Sequence, residues 1–385
     1  MKKIPYTKHK IFKNDLKYVI KSLKSEKITE GKYVDKFEKK IQKYLNVKYA
    51  LACTSGTAAL HMAISSLGIG RNDIVIVPSI NFIAISNILS LLNAKIIYAD
   101  VDPITGQMTP QNLIDCIKFN ELKNIKAFCT MYLGGAPNNI FDFYKIKKKY
   151  KCFMIEDACH ALGSTYFNKK KIKIGSCKHS DICTFSLHPA KTITSGEGGI
   201  VTTNNLEIFN KAKLFRSHGI VRSKDKFSFV KHWKYNVNNP GLNYRMSDLN
   251  AALAISQLNN IDKIVKKRNK MAKIYFNLLK KNDDFILPIK DKKTMSSFHL
   301  FIIKLKKIKN IKMKEEIIQF FLKKKIILQQ HYIPFFKYSF YKNDIQKTKN
   351  FNGANSYFKN SLSFPLFYDI KEKDIKQICK LLNSI

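Results

Sequence analysis

Lys191 lies in the run Phe185-Ser186-Leu187-His188-Pro189-Ala190-Lys191-Thr192-Ile193-Thr194-Ser195-Gly196-Glu197-Gly198-Gly199, downstream of Glu156-Asp157-Ala158-Cys159-His160-Ala161-Leu162-Gly163. The first run offers an amine that can form a Schiff base. The second offers a carboxylate that can hold a protonated ring nitrogen, and these two groups are what pyridoxal phosphate chemistry requires. In a chain this rich in lysine, one such residue says nothing by itself, because charged side chains are usually solvated. Its neighbours single out Lys191. Pro189 removes a backbone donor and restricts His188, so the chain leaves its strand in a loop from which a lysine can project. Gly196, Gly198 and Gly199 allow a tight return into the β-rich stretch Ile200–Thr203. So apolar a setting disfavours the ammonium form and leaves a nucleophilic amine near neutral pH.

Asp157 ends an apolar, strand-like run, and a carboxylate there must be paired or neutralised. A pyridinium nitrogen is one charge-assisted partner; capping a helix is the other reading. His160, three residues on, reaches a cofactor hydroxyl if the segment turns helically, or is a satisfied core histidine. Thr54-Ser55-Gly56-Thr57-Ala58-Ala59-Leu60 follows a strand and opens a helix, where glycine, hydroxyls and the helix dipole suit a phosphate. Ser and Thr also cap helices with no ligand present. Cys177, His179 and Cys183 fall within seven residues, but no second pair completes a tetrahedral zinc set, and no metal is expected.

These groups need a scaffold, and the chain is long enough for one. Its 385 residues exceed the usual ceiling for a single hydrophobic core, so a large domain and a smaller one are expected. Residues 45% hydrophobic, with no apolar run long enough to cross a bilayer, exclude a membrane span from the expectation. The basic start Met1-Lys2-Lys3 leads into no apolar signal core, which predicts a cytoplasmic protein. Eight cysteines without framework spacing read as reduced thiols. The net charge of +41 is nearly all lysine. Nucleic-acid readers favour arginine, and here only Arg71, Arg216, Arg222, Arg245 and Arg268 are present. The excess therefore reads as compositional bias that still favours anionic ligands, with no nucleic-acid partner.

Strand-like Lys48–Cys53, Asp73–Pro78, Lys95–Asp100, Ile125–Met131 and Cys152–Glu156 alternate with helical patterns such as Thr57–Leu67 and Phe82–Leu92. That rhythm predicts an α/β fold with a mainly parallel sheet between helices. Ligands in such sheets sit beyond the carboxyl ends of the strands, where Ser55, Ser79, Asp157 and Ser186 fall. Ser247 is a plausible N-cap for one long helix or two joined ones reaching Leu279. The large domain is placed at residues 1–250, with the interdomain helix and a small α+β domain at 251–385. The small domain is read from strand-like Phe298–Leu305 and Ile326–Leu328 and helical Lys312–Lys324 and Lys371–Leu382. The charge-rich runs Lys169–Lys173 and Lys304–Lys314 read as turns or solvated faces.

Taken in order, these motifs resemble the DegT/DnrJ-type nucleotide-sugar aminotransferases, a group of fold-type-I pyridoxal phosphate enzymes. The likeness runs from Lys27-Ile28-Thr29-Glu30-Gly31 through Thr54–Leu60, Glu156–Gly163 and Ser186–Gly199 to Phe215–Gly219 and Gly241–Met246, nearly the whole chain. It implies pyridoxal 5'-phosphate as cofactor, held covalently by Lys191, with Asp157 at the pyridinium nitrogen and His160 beside the ring hydroxyl. Gly56, Thr57 and Ser186 match phosphate-binding positions, and Phe82 matches the aromatic that stacks on the ring. Asn243 resembles a residue lent to the phosphate by a neighbouring subunit, which implies a homodimer with shared sites. Cys159 stands where Ala or Ser is commoner.

Phe215–Gly219, Ser297–Phe301 and His331–Phe336 are similar to the members of pseudaminic acid biosynthesis. That likeness implies transfer of the amino group of L-glutamate to C-4 of a UDP-linked 4-keto-6-deoxy-N-acetylhexosamine. Relatives with histidine in place of the lysine are sugar 3-dehydratases, so Lys191 favours transamination. The alternatives are another sugar or C-3 specificity, or a cofactor-binding regulator without catalysis.

Overall fold

The computed structural model describes residues 3–168, 170–222, 235–289, 291–341 and 351–385. Apolar runs become the strands β1 (Tyr49–Cys53), β2 (Ile74–Pro78), β3 (Lys95–Ala99), β4 (Ile125–Met131) and β5 (Phe153–Asp157). A hairpin of β6 (Thr165–Asn168) and β7 (Lys170–Lys173) precedes β8 (Ile182–Ser186) and β9 (Gly199–Thr203). Seven of these form one sheet in the order β1-β9-β8-β5-β4-β2-β3. From β8 to β3 every pair is parallel, and β9 alone runs against its neighbours. Helices Gly56–Ser66, Ala84–Leu91, Pro110–Phe119 and Ile140–Tyr150 make the crossovers, as parallel pairing demands.

Both faces of the sheet are covered, so alternate residues enter different cores. Leu51 and Cys53 of β1 join one core with β2 and β4, whereas Ala50 and Ala52 join the other with the helices Lys32–Leu45 and Asp248–Leu258. The carboxyl ends of β1, β5 and β8 therefore open on one edge. There Gly199 faces both Cys53 and Ser186. A side chain on Gly199 would meet the Ser55 carbonyl oxygen at 2.1 Å, so only glycine lets the lysine loop and the Ser55 turn close together.

The expected helical stretch after Ser247 is two helices, Asp248–Leu258 and Ile261–Leu279, and Ser247 Oγ accepts from the Asn250 amide at 3.2 Å. The first packs on the helices Lys13–Leu23 and Lys32–Leu45. The second passes from that core, through Val265, into a third core that begins at Met271. The expected division after residue 250 thus falls inside a helix whose contacts lie with the large domain. The third core fills a smaller domain containing the strands Phe301–Leu305 and Ser361–Phe364 and the helices Ile311–Lys323 and Glu372–Leu382.

Two expectations are corrected. Ile326–Leu328 is not a strand: Ile326 makes a single bridge to Ile4 of the N-terminal segment, and Gln329 makes one to Ser363. Lys304–Lys314 is not simply a solvated face, because Lys304 Nζ donates to the Pro103 carbonyl at 2.8 Å and Lys314 is buried. Of the other lysine run, Lys169 lies outside the described residues and Lys170–Lys173 is strand β7.

Arg268 shows how the smaller domain is tied on. Its fully buried guanidinium donates to the carbonyls of Phe298, His299 and Leu366 at 3.2, 3.3 and 2.9 Å. Burial lowers its pKa to about 10. Arg268→Met keeps the stem but leaves three carbonyls without their donor, and is expected to cost about 3 kcal/mol. A urea midpoint equal to that of the parent would contradict this role.

Candidate active site

Where the strand ends meet, a cavity of about 450 Å³ is lined by Gly56, Thr57, Phe82, Asp157, His160, Ser186 and Lys191. Seven of the eight residues singled out from the sequence thus share one space. Asn243 is not among the lining; it stands exposed and bridges to Ser217.

Lys191 sits on an irregular loop whose ends are pinned. Leu187 N–H donates to the Gly198 carbonyl at 2.8 Å, Ser195 N–H returns to Leu187 at 3.0 Å, and Lys191 N–H closes on His188 at 2.8 Å. Desolvation lowers the Lys191 pKa, opposed by the nearby Cys159 and Asp157. Asp157, at the end of β5, is buried and accepts from the Cys159 amide at 3.2 Å. Burial raises its pKa, and it forms no ion pair with Lys191 or any other described cation. A carboxylate left this way in a cavity wall awaits a positive partner.

The helix Gly56–Ser66 presents its N-terminus to the same cavity, capped by Ser55 Oγ on the Ala58 amide at 3.1 Å. Its first amides have no helical acceptor and can meet an anion. A Cβ on Gly56 would lie 2.7 Å from that of Ser186, so this glycine brings helix and β8 together into one cradle. Phe82, 52% exposed, stands beside Tyr332 with ring centroids 5.7 Å apart.

Both nitrogens of His160 have protein partners. Nδ1 accepts from the Gly134 amide at 3.3 Å, which leaves the proton on Nε2, 3.0 Å from the Tyr332 hydroxyl. Burial, with the Lys191 charge, drives the His160 pKa well below its ordinary value, so the ring is neutral. Nε2–H therefore donates to Tyr332, and the hydrogen still available to a ligand belongs to the Tyr332 hydroxyl.

Several lining residues were not assigned a role from the sequence. Tyr6, His299, Gln329, Gln330, His331 and Tyr332 come from the N-terminal segment and the smaller domain. The His299 ring lies against His160, centroids 4.2 Å apart and tilted by 53°, and its buried Nδ1 has no partner among the described residues. His331 Nδ1 pairs with Ser363 Oγ at 2.8 Å, and burial pushes its pKa down to about 3. In a chain with nine histidines, His299 and the dipeptide His331-Tyr332 were the available signal. Cys177, His179 and Cys183 are not gathered: Cys177 Sγ donates to the Thr202 carbonyl at 3.2 Å and His179 Nδ1 meets the Tyr166 hydroxyl at 2.7 Å. Among the described residues no group of three or more His, Cys, Asp or Glu is placed to hold a metal ion, and no helix is long and apolar enough to cross a membrane.

The site fits pyridoxal phosphate: a desolvated amine, an unpaired buried carboxylate and an anion cradle line one cavity. The comparisons agree. The DegT/DnrJ/EryC1/StrS aminotransferase family matches residues 9–383. A UDP-4-amino-4,6-dideoxy-N-acetyl-β-L-altrosamine transaminase of Campylobacter jejuni is 36% identical over 383 residues, covering 99% of this chain and 97% of its own. A GDP-perosamine synthase of Escherichia coli O157:H7 is 29% identical over 390 residues, 100% of this chain and 99% of its own. The structure of Helicobacter pylori PseC, an aminotransferase involved in the biosynthesis of pseudoaminic acid, superposes with a TM-score of 0.89 at 28% identity, covering 100% and 99% of the two chains. The chain belongs to the DegT/DnrJ/EryC1/StrS aminotransferase family, with the fold-type-I architecture of pyridoxal phosphate aminotransferases: a mixed α/β large domain and a smaller C-terminal domain.

Proposed function

We propose that this chain moves the amino group of L-glutamate to C-4 of a UDP-linked 4-keto-6-deoxy-N-acetylhexosamine, as in pseudaminic acid biosynthesis. The observation that carries the reading is the meeting of the desolvated Lys191 amine and the unpaired Asp157 carboxylate in one cavity. The Campylobacter relative supports the choice of sugar.

In this reading Lys191 holds the cofactor covalently and Asp157 faces its ring nitrogen. Gly56, Thr57 and Ser186 hold the phosphate at the helix N-terminus, Phe82 lies against the ring, and His160 acts on the ring hydroxyl through Tyr332. Pyridoxal phosphate, when bound, supplies the electron sink that lets nitrogen leave an amino acid and join a ketone. Lys191 Nζ, freed from its covalent bond, takes the proton from the α-carbon of glutamate and later delivers one to C-4 of the sugar. Asp157 stays ionised and His160 neutral throughout. Asn243, exposed and outside the lining of its own cavity, is assigned to the phosphate of a second copy, making the active form a homodimer.

Incubation with L-glutamate and a panel of UDP- and GDP-linked keto sugars tests this directly. The expected product is the 4-amino UDP-sugar, formed with one 2-oxoglutarate per amine, from protein that sediments as a dimer. Preference for a GDP-linked ketone would favour the reading suggested by the Escherichia relative, and a fully active monomer would overturn the shared site.

A further inference from the structure

One wall of the cavity is built by the smaller domain, and a buried lysine stands behind it. Lys314, on the helix Ile311–Lys323, is 4% exposed, and among the described residues it has no acidic partner. Its Nζ donates to Gln330 Oε1 and to the Phe358 carbonyl, and the Phe358 ring lies 4.8 Å away. Burial pushes its pKa down to about 7. An ammonium without a carboxylate is expensive to bury, so two oxygens and a ring face are what hold it here. In either protonation state the amine has N–H groups for both oxygens.

This contact fixes which way round the Gln330 amide sits. Lys314 donates to the oxygen of Gln330, and as an ammonium it can only donate, so the oxygen faces Lys314 and the NH₂ group points the other way. One N–H reaches toward the Tyr332 carbonyl at 3.5 Å. The other has no acceptor among the described residues, and Gln330 lines the cavity. The backbone around it is held in place: Gln329 exchanges both backbone hydrogen bonds with Ser363 at 3.1 and 2.8 Å, and the Tyr357 hydroxyl donates to the His331 carbonyl at 2.9 Å.

We propose that Lys314 is a positioning residue: by holding the Gln330 oxygen it turns the Gln330 NH₂ into the cavity, as a donor that reads a neutral oxygen on the sugar of the ketone substrate. A neutral amide donor suits a hydroxyl, ring or acyl oxygen. The carboxylates of the amino donor call instead for cationic or bidentate partners. The inference rests on the reading of the chain as a nucleotide-sugar aminotransferase, and it adds a determinant of specificity contributed by the smaller domain.

The two half-reactions separate the predictions. Lys314→Met, Gln330→Leu and the double variant are compared with the parent, first for single-turnover consumption of L-glutamate and then for KM and kcat with the preferred keto sugar. Lys314→Met is expected to raise the sugar KM roughly tenfold, the loss of one aligned hydrogen bond, with the glutamate half-reaction within about twofold. Gln330→Leu should match it, and the double variant should be no worse than either single one, because both remove the same contact. A sugar KM unchanged in Lys314→Met, equal damage to both half-reactions, or additive effects would overturn the proposal. These outcomes are read against whichever sugar the parent accepts. A parent that prefers a non-UDP sugar therefore defeats the proposed substrate while the variants still judge Lys314, and a parent that aminates nothing defeats both.

Discussion

Lys191→Ala is expected to lower turnover by ~10⁴-fold or more, since one amine serves as both covalent anchor and proton carrier. It should also remove the visible absorbance of lysine-bound cofactor. The fold should survive. Desolvation depresses the Lys191 pKa, Cys159 and Asp157 partly oppose it, and among the described residues no ion pair holds the side chain, so these effects largely offset and the melting temperature of the cofactor-free protein should change little. In the parent, the rate of covalent cofactor capture should climb with pH and level off below the ordinary lysine range, because only the free amine is nucleophilic. Retained turnover together with the absorbance band in Lys191→Ala would refute the assignment; a collapsed melting temperature would make the loss structural.

How far the site could be read in advance follows from how each piece is built. The meeting of Ser55, Asp157 and Ser186 is legible because each ends or follows an apolar run and the carboxyl ends of parallel strands share an edge, whereas Lys191 is marked by the proline and glycines of its loop. Ile326–Leu328 misled because three apolar residues suit a strand equally well as a buried link between the N-terminal segment and strand Ser361–Phe364. Lys314 misled for a different reason. A lysine within a charged run is normally solvated, and only the fold brings Gln330 and the end of helix Asn352–Asn360 around it. Tyr6, His299 and Tyr332 reach the cavity from three separated segments. Their local sequence specifies loops and turns, and nothing in local spacing says which strand edge those loops will cover.

Asp157→Asn should reduce kcat by about 10²–10³-fold, the scale for losing one preorganised electrostatic partner in a closed site. Cofactor should remain bound through Lys191 and its absorbance should persist. The adjacent acid is the control. Glu156 is the neighbouring residue of β5, so its side chain leaves the opposite face of the sheet. There it accepts from the Tyr132 hydroxyl at 2.5 Å and from Ser180 Oγ at 2.9 Å, both oxygens satisfied by protein donors, and it is absent from the cavity lining. Burial raises the pKa of both acids, so a titration would not tell them apart, whereas their partners do. Glu156→Gln places an NH₂ against a hydroxyl and should cost about 1–2 kcal/mol of stability, with turnover near that of the parent. Asp157→Asn removes a buried carboxylate that burial disfavours and that the Lys191 charge and the Cys159 amide partly offset, so its stability should change by less than about 1 kcal/mol while catalysis fails. Turnover in Asp157→Asn within tenfold of the parent, or the same stability loss in both variants, would show that the carboxylate facing the cavity is structural and does not keep a ring nitrogen cationic.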